Sequence, residues 1–232
     1  MLMAEFDYIE RNYRELCEEL SQIAERVGTK APTLVCVTKS GSDEELLALV
    51  RAGARDLGEN RPGEVARRLA LVKDAGLDAN MHEIGTLQRN KIKLIASGVH
   101  MVHSLDTTRL AHDLARHAAA LGRNIPVLIE VNSAREEQKS GVMPEEVEEL
   151  LDSLSDYPEL IPRGLMTMGP AYDDAELLRP YFKETKKLFD KLYSRFEKFG
   201  EPILSMGMSD SYKVAIEEGS TLVRIGRRLF KK

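Results

Sequence analysis

The sequence predicts an α/β fold: a single (β/α)₈ barrel of the TIM type with an extra helix at its N-terminus. From residue 33 onward, one pattern recurs, in which a short apolar run is followed by a turn and then by a helix-period segment. Eight such units follow one another without a long linker or a break in composition, which favours one barrel domain over 33–232. A doubly wound open sheet has the same alternation, but eight regularly spaced strands exceed the mean sheet of about five or six.

The candidate strands are short runs rich in Val, Ile, Leu and Met. They lie at 33–39, 56–60, 81–85, 101–105, 126–132, 163–168, 203–208 and 221–226. Helix-period segments run between them, and those at 42–52, 107–121 and 175–199 are the clearest. Ser42 followed by Glu45 has the pattern of a capping box, and further candidate N-caps are Asp106 and either Ser209 or Asp210.

A helix is predicted over 1–29, before the first strand. Its apolar residues fall three or four positions apart and form one narrow stripe. They are Phe6, Ile9, Tyr13, Leu16, Leu20, Ile23 and Val27. Such a stripe could be a coiled-coil seam between two subunits, but a helix lying against the barrel is the interpretation that this short length favours.

The composition is that of an ordinary globular protein, with 43% hydrophobic and 31% charged residues. The formal net charge is −5 with both signs interspersed, which argues against nucleic-acid binding because such proteins carry a basic surface. No apolar run is long enough to cross a membrane, and the acidic start of the chain (Glu5, Asp7, Glu10) lacks the pattern of a signal peptide. Cys17 and Cys36 form neither a CxxC pair nor a zinc-binding spacing. We therefore expect a cytoplasmic protein without a nucleic-acid or membrane partner.

Lys39 ends the first predicted strand, where the active sites of (β/α)₈ barrels lie. Strand alternation places it on the same face as Val35 and Val37. If these valines fill the barrel interior, Lys39 points into the mouth of the barrel, where loss of hydration favours its neutral amine. A neutral amine attacks carbonyl groups, so this position suits a Schiff-base lysine. The pattern also permits a solvated lysine just beyond a strand end.

Two further polar residues are predicted to reach the mouth. Asn60 ends the second strand on the same face as Asp56 and Gly58, so its amide could hydrogen-bond a ligand. A strand-terminal turn residue would show the same pattern. Arg224 alternates with Leu222 in the eighth strand and should point into the barrel. A buried guanidinium needs an acceptor, which we expect to be an Asp or Glu of the barrel or a ligand atom.

The segments after strands seven and eight have the features of a phosphate site. The first reads SMGMSDS over 205–211 and leads into a helix, so its backbone N–H groups and the Ser209 hydroxyl could hold a phosphate. Gly226 ends the eighth strand, and its missing side chain would let a ligand approach the backbone. Phosphates often bind between the loops after strands seven and eight of such barrels. The pattern would be weak outside a barrel.

The histidines show no HExxH motif or other metal-binding spacing. They are His82, His100, His103, His112 and His117. Structural or solvent-exposed roles are simpler for all of them, so we expect no bound metal. The methionines near the predicted strand ends are more often core residues than ligand contacts; they are Met166, Met168, Met206 and Met208.

Taken together, these segments resemble the pyridoxal 5′-phosphate (PLP) homeostasis proteins, single-domain relatives of the alanine racemase N-terminal barrel. The likeness runs over nearly the whole chain in the order of the family. The matching segments are VCVTK at 35–39, GEN at 58–60, HEIGTLQRNK at 82–91, KSG at 139–141, RGLM at 163–166, LSMGMSD at 204–210 and VRIG at 223–226.

The resemblance implies a set of cofactor-binding residues. They are Lys39, Asn60, Met208, Ser209, Arg224, Gly226 and Arg227. Lys39 would hold PLP as a Schiff base, with Asn60 lining the pocket. The phosphate would lie against Ser209, Gly226 and the backbone of Arg227, with Arg224 beside the pyridine nitrogen. The family is generally viewed as binding PLP and influencing its cellular level, with PLP-requiring apo-enzymes as candidate recipients.

The chain departs from the family pattern in two places. The position after His82 is usually aromatic and is here Glu83, and Arg61 and Pro62 follow the Glu-Asn pair. Both departures lie beside the expected pocket, so they bear on local packing rather than on the cofactor.

The resemblance also implies that catalysis is weak or absent. An arginine at the ring nitrogen keeps that nitrogen unprotonated, which weakens PLP as an electron sink. The second acid/base group of the two-domain racemases comes from a domain after the barrel, and none is expected here because the sequence ends at Lys232. We expect a monomeric protein of PLP homeostasis or carriage. Two alternatives are a weak PLP-dependent racemase or other amino acid enzyme, and a Schiff-base aldolase acting on a sugar phosphate.

Overall fold

The computed structural model describes residues 6–232. Its eight parallel strands form a closed barrel, in which each strand pairs with the next one along the chain and the last pairs with the first. The strands are β1 (Thr33–Val37), β2 (Asp56–Glu59), β3 (Asn80–Glu83), β4 (Met101–Leu105), β5 (Ile125–Glu130), β6 (Leu160–Met166), β7 (Ile203–Ser205) and β8 (Leu222–Ile225). The predicted (β/α)₈ barrel is confirmed. Residues 1–5, with Glu5 of the acidic start and the first positions of the helix predicted over 1–29, lie outside the described residues.

Helices connect the strands around the outside of the barrel. They are α1 (Asp7–Val27), α2 (Asp43–Arg51), α3 (Pro62–Asp74), α4 (Ile92–Ile95), α5 (Thr108–Ala120), α6 (Val147–Ser153), α7 (Arg179–Glu197) and α8 (Tyr212–Glu217). The capping box predicted at Ser42 and Glu45 begins α2. The cap predicted at Asp106 is wrong by one position, because Thr107 has the extended backbone of an N-cap and its hydroxyl accepts from the Leu110 N–H.

Several predicted strand ends extend too far, because residues beyond the last ladder pair turn into the loops at the C-terminal rim. β1 therefore ends at Val37 rather than at Lys39, and β7 ends at Ser205 rather than at Met208. In contrast, β6 begins three residues before the predicted start at Arg163 and includes Pro162. A shift in register between Val127 and Leu128 of β5 accommodates this proline, which cannot donate to a ladder.

Helix α1 lies against the barrel wall, where it packs on α2 and α8. Its stripe is largely buried, with Leu16, Leu20 and Ile23 each at most 2% exposed. These side chains join the apolar layer between the helices and the outer face of the strands. Within residues 6–232, no helix combines the length and apolar character needed to cross a membrane.

The inside of the barrel contains a smaller apolar cluster and several polar side chains. Met101, Leu128 and Met166 form that cluster, separate from the outer layer. Ser205 of β7 and His103 of β4 lie within hydrogen-bond distance of each other although their strands are not neighbours. Their side chains can meet only across the interior. The inner face therefore connects distant strands through polar contacts.

Candidate functional site

The predicted site residues lie at or just beyond the ends of four consecutive strands. Lys39 and Asn60 follow β1 and β2, Met208 and Ser209 follow β7, and Gly226 and Arg227 follow β8. Since the sheet order is β7, β8, β1, β2 around this part of the closed barrel, the fold gathers these residues along one arc of the C-terminal mouth.

Lys39 lies in a turn just beyond β1 and is exposed. The turn is closed by a hydrogen bond from the Gly41 N–H to the Thr38 carbonyl oxygen, and the Thr38 N–H donates to the Gly58 carbonyl oxygen on β2. The loss of hydration expected for this lysine is therefore wrong for the structure as described, because the chain leaves the strand two residues before it. Val35 and Val37 are buried, as the prediction required.

Ser209 and Gly226 meet between the ends of β7 and β8. The Gly226 N–H lies 3.4 Å from the Ser209 hydroxyl oxygen. Gly226 also packs against the end of β1, since a Cβ added there would lie 2.7 Å from the Val37 carbonyl oxygen. The segment that carries Lys39 and the segments predicted to hold phosphate are thus in direct contact through Gly226.

The loop after β7 leaves the Ser209 side chain free of a capping role. The N-cap of α8 is Ser211, which makes no side-chain cap bond, so the caps predicted at Ser209 or Asp210 are wrong. The Ser211 hydroxyl instead accepts from the Met208 N–H at 3.1 Å within the loop. Met208 is 40% exposed, rather than part of the core. Arg227 forms an exposed ion pair with Asp210, so its side chain turns outward.

Asn60 is exposed at the end of β2 and is held through its backbone. A Cβ added to Gly85 would lie 2.3 Å from the Asn60 carbonyl oxygen, so the loop after β3 rests directly on Asn60. The Gly85 carbonyl oxygen accepts a hydrogen bond from the Ser104 hydroxyl at 2.5 Å. These contacts fix the Asn60 backbone beside the mouth.

Arg224 points into the barrel, as strand alternation predicts, and is 3% exposed. Its acceptors are the Ser205 hydroxyl oxygen at 2.5 Å and the Thr167 carbonyl oxygen at 3.1 Å. The expected carboxylate acceptor is replaced by these neutral groups, although Glu130 lies near enough to favour the charge. Burial lowers the pKa of the guanidinium to about 10 and the Glu130 carboxylate opposes this effect, so Arg224 stays charged at neutral pH.

Glu130 is a mouth residue that the sequence analysis missed. It ends β5, is 3% exposed, and lines a small cavity together with Asn132 and Lys139. The pKa of its carboxyl is raised to about 7, because burial and the Asp106 carboxylate raise it more than the Arg224 charge lowers it. Its position at the end of an apolar strand is a signal that could have indicated a site residue. The same pattern is equally common for a glutamate in a solvated turn.

Two histidines lie in the barrel interior. His82 and His103 are 2% and 0% exposed, respectively, and their rings lie within hydrogen-bond distance of each other. Their burial agrees with the structural role expected for them and not with the solvent-exposed one. Both belong to a chain of polar side chains that reaches Arg224. No spacing rule relates these positions, because residues on different strands meet only once the barrel closes.

The two departures from the family pattern lie outside the mouth. Glu83 and Glu59 pair in register on β3 and β2. The Glu59 carboxylate lies 3.3 Å from Arg68 Nε on α3, and the shared register places Glu83 on the same outer face of the sheet. Arg61 is the N-cap of α3 and Pro62 occupies its first turn, a position at which proline is favoured. Neither departure removes a mouth residue.

The chain is similar to known proteins over nearly its whole length. The sequence profile described as "Alanine racemase, N-terminal domain" matches residues 11–232. A pyridoxal phosphate homeostasis protein from Aquifex aeolicus is 38% identical over 223 residues, which cover 92% of this chain and 96% of the relative.

Two solved structures have the same architecture. PipY from Synechococcus elongatus, determined with PLP bound, superposes with a TM-score of 0.82 at 27% identity, covering 96% of this chain and all of the PipY chain (100%). A protein from Bifidobacterium adolescentis superposes with a TM-score of 0.86 at 31% identity, covering 98% of this chain and 96% of the other.

Proposed function

We propose that the chain, which belongs to the pyridoxal phosphate homeostasis proteins of the alanine racemase N-terminal domain family, binds PLP at the C-terminal mouth of its barrel. The observation that carries this proposal is the position of Gly226. Its N–H faces the Ser209 hydroxyl, and a Cβ added to it would lie 2.7 Å from the carbonyl oxygen of Val37, two residues before Lys39. This contact supports a single site in which Lys39 would react with the aldehyde and the segments after β7 and β8 would hold the phosphate.

The donors at this mouth fit the groups of PLP. A phosphate ester needs hydrogen-bond donors, which the Ser209 hydroxyl and the backbone of Gly226 and Arg227 supply. An aldehyde needs a primary amine, which Lys39 supplies as the residue that would hold PLP in a Schiff base. A pyridine nitrogen without a proton accepts a hydrogen bond, and the buried Arg224 is a donor-only side chain. Asn60 and Met208 would line the same pocket.

These residues suit binding better than catalysis. When bound, PLP supplies an electron sink for reactions at the α-carbon of amino acids. Arg224 keeps its proton near neutral pH, so it does not protonate the ring nitrogen and leaves that sink weak. Glu130, with a pKa of about 7, is the carboxyl group near Arg224 that can exchange a proton in the physiological range.

The cellular part of the proposal is a role in PLP homeostasis or carriage. The protein would act as a cytoplasmic monomer that receives PLP and releases it to apo-enzymes that require it. Two free cysteines, the half-buried Cys17 and the buried Cys36, support a reducing compartment. Gel filtration at several concentrations tests the monomer, and restoration of activity to a PLP-depleted apo-enzyme tests the transfer.

The site is tested by trapping the cofactor on the protein. Protein mixed with PLP and reduced with borohydride should gain the mass of one reduced pyridoxyl phosphate group, and peptide mapping should locate it at Lys39. Lys39→Ala should lose the reducible adduct while keeping the fold, because an exposed turn side chain contributes little to the core.

Lys91→Ala and Lys139→Ala are matched controls, because both replace lysines of the segments shared with the family. Both variants should trap PLP like the wild type. An adduct that survives in Lys39→Ala would assign the anchor to another lysine. Trapping of a sugar phosphate in place of PLP would favour the Schiff-base aldolase instead.

A further inference from the structure

A chain of hydrogen bonds crosses the barrel interior from its N-terminal floor to Arg224. Asp56 Oδ1 on β2 lies 3.0 Å from His82 Nε2 on β3. His82 Nδ1 lies 2.9 Å from His103 Nε2 on β4, and His103 Nδ1 lies 3.3 Å from Ser205 Oγ on β7. The chain ends where Arg224 Nη1 donates to Ser205 Oγ. Side chains of five strands thus form one continuous path.

The carboxylate end fixes the direction of every bond when each ring carries a single proton. A carboxylate can only accept and a guanidinium can only donate. His82 then donates from Nε2 to Asp56 and accepts at Nδ1 from His103 Nε2–H. His103 Nδ1 in turn accepts from the Ser205 hydroxyl, whose oxygen accepts from Arg224. In this arrangement both rings are in the Nε2–H form.

The charges around the path agree with this assignment. Burial lowers the pKa of His103 well below its usual range, and the positive charge of Arg224 acts in the same direction. Burial opposes ionisation of Asp56, but hydrogen bonds from His82 and Asn80 lower its pKa below the usual value. The other titratable groups that act on the path are His100 beside His82, Arg163 and Arg123 beside His100, and Glu130 beside Arg224.

We propose that His103 and His82 are positioning residues that hold Arg224 through Ser205, as two neutral Nε2–H rings joining its guanidinium to Asp56. This inference rests on the proposed function, in which Arg224 meets the pyridine nitrogen of PLP. The cofactor end of the barrel is thereby coupled to its opposite face. Loss of the Ser205 hydroxyl breaks the path and removes one of the two contacts that fix Arg224, whereas protonation of His103 Nδ1 reverses its bond to Ser205 and places a second positive charge near Arg224.

Nitrogen-15 NMR of histidine-labelled protein tests the assignment without PLP. Long-range proton–nitrogen spectra between pH 5.5 and 8 should show two rings that stay in the Nε2–H form throughout. His103→Asn and His82→Asn should identify their signals, and His112→Asn, at an exposed position, should remove a third signal and leave both unchanged. An Nδ1–H form, or a ring that gains a proton within this range, would overturn the proposal.

The same spectra also test whether a metal ion binds at the N-terminal floor of the barrel. Asp56, His82 and His100 place ligand atoms within 4.8 Å of one another, so a cation could take His82 Nε2 from Asp56. The spectra are therefore recorded after chelator treatment and again with added Zn²⁺. A stoichiometric shift of His82 Nε2 on addition of Zn²⁺ would assign the floor to a metal and overturn the hydrogen-bonded path.

Binding of PLP tests the effect on Arg224. Ser205→Ala removes the hydroxyl and should weaken PLP binding by roughly tenfold to a hundredfold, the value of a hydrogen bond to a charged group. Ser205→Thr keeps the hydroxyl and should restore wild-type affinity. Equal affinities in Ser205→Ala and the wild type would refute the positioning role. If wild-type protein binds no PLP, the proposed function fails, whereas the ring protonation measured without PLP still decides the path.

Discussion

Arg68 donates a hydrogen bond from Nη1 to the backbone carbonyl oxygen of Thr38, 2.8 Å away. Its Nη2 donates to the Gly41 carbonyl oxygen at 2.9 Å, so the two bonds bracket the turn that carries Lys39. Arg68 is 5% exposed, and its Nε lies 3.3 Å from Glu59 Oε1, close enough for an ion pair although not aligned as a hydrogen bond. Through Arg68, helix α3 thereby fixes the backbone of the turn that carries Lys39.

The first prediction follows from this bracket. Arg68→Ala should destabilise the protein by about 3–5 kcal/mol, because it leaves Glu59 buried without its cation, and it should slow trapping of PLP on Lys39. Urea unfolding and borohydride trapping measure the two effects. Arg68→Lys keeps the charge but not the two-pronged geometry, so it should recover stability better than it recovers trapping.

Arg67→Ala is the matched control on the same helix. Arg67 pairs with Asp43 and Glu64 at an exposed position, and such pairs contribute about 1 kcal/mol or less. It should change neither measurement appreciably. A control that impaired trapping as much as Arg68→Ala would mean that the helix surface, and not the bracket, governs Lys39.

The sequence predicted the barrel because each strand is a local signal, an apolar run bounded by a turn. It also placed Arg224 inside, since alternation within one strand determines its face. It missed the Arg68 bracket and the contact between His103 and Ser205, because these join residues on separate elements. Periodicity shows the face on which a side chain lies, but only closure of the barrel determines which side chain lies opposite.

The exposed position of Lys39 also shows that periodicity alone does not predict the surroundings of a side chain. Alternation predicts the direction of the Lys39 side chain only within a strand, but the ladder of β1 ends at Val37. Beyond the last ladder pair, turn geometry replaces alternation, and the Gly41 N–H bond to Thr38 closes that turn. Residue type and strand order predict Lys39 as a site residue, whereas its surroundings depend on a turn that the sequence pattern does not predict.

The second prediction concerns the phosphate segment. Ser209→Ala should weaken PLP binding by roughly 1–3 kcal/mol, the contribution of a hydrogen bond to a charged group. Gly226→Val should weaken it more, because even a Cβ there would lie 2.7 Å from the Val37 carbonyl oxygen. Titration of protein absorbance with PLP gives both affinities.

Ser155→Ala is the control, since Ser155 is an exposed serine whose hydroxyl donates to the nearby Asp152 carbonyl group. It should bind PLP like the wild type. Unchanged affinity in both Ser209→Ala and Gly226→Val would place the phosphate elsewhere in the barrel.

The third prediction concerns the pH dependence of stability. Glu83 is fully buried, its Oε1 accepts from the Gly85 N–H at 2.9 Å, and its Oε2 has no hydrogen-bond partner. Burial raises its pKa from 4.5 to about 8, and the Glu59 carboxylate contributes in the same direction. The folded protein therefore binds more protons than the unfolded chain between these pH values, so the Glu83 contribution weakens as pH rises from 4.5 through 8.

Glu83→Gln removes this titration and keeps the shape of the side chain. Relative to the wild type, its free energy of unfolding should rise with pH, by about 2–5 kcal/mol between pH 4.5 and 8.5. Urea unfolding at several pH values gives the difference curve, and the exposed Glu149→Gln should give a flat one. A flat curve for Glu83→Gln would show that Glu83 has the same protonation state in the folded and unfolded chains.

The last prediction is that racemisation of alanine is slow or absent. The tyrosines that could supply a second acid/base group are Tyr172 and Tyr212, and both are engaged. The Tyr212 ring is 2% exposed and its hydroxyl donates to Glu19 on α1 at 2.7 Å, on the outside of the barrel. The Tyr172 hydroxyl lies 3.2 Å from that of Tyr181. Turnover should therefore fall far below the roughly 10 s⁻¹ of a typical enzyme.

Incorporation of solvent deuterium at the α-carbon of L-alanine, measured together with formation of the D-isomer, decides this prediction. Exchange without inversion would fit one proton-transferring group, Lys39, acting on a single face. Lys39→Ala should abolish even that exchange, whereas Tyr172→Phe should leave it unchanged, because a group that transfers no proton can lose its hydroxyl without effect. Rapid inversion that required both Lys39 and Tyr172 would contradict the carrier role, because it would reveal acid/base groups on both faces of the α-carbon and make the protein a racemase.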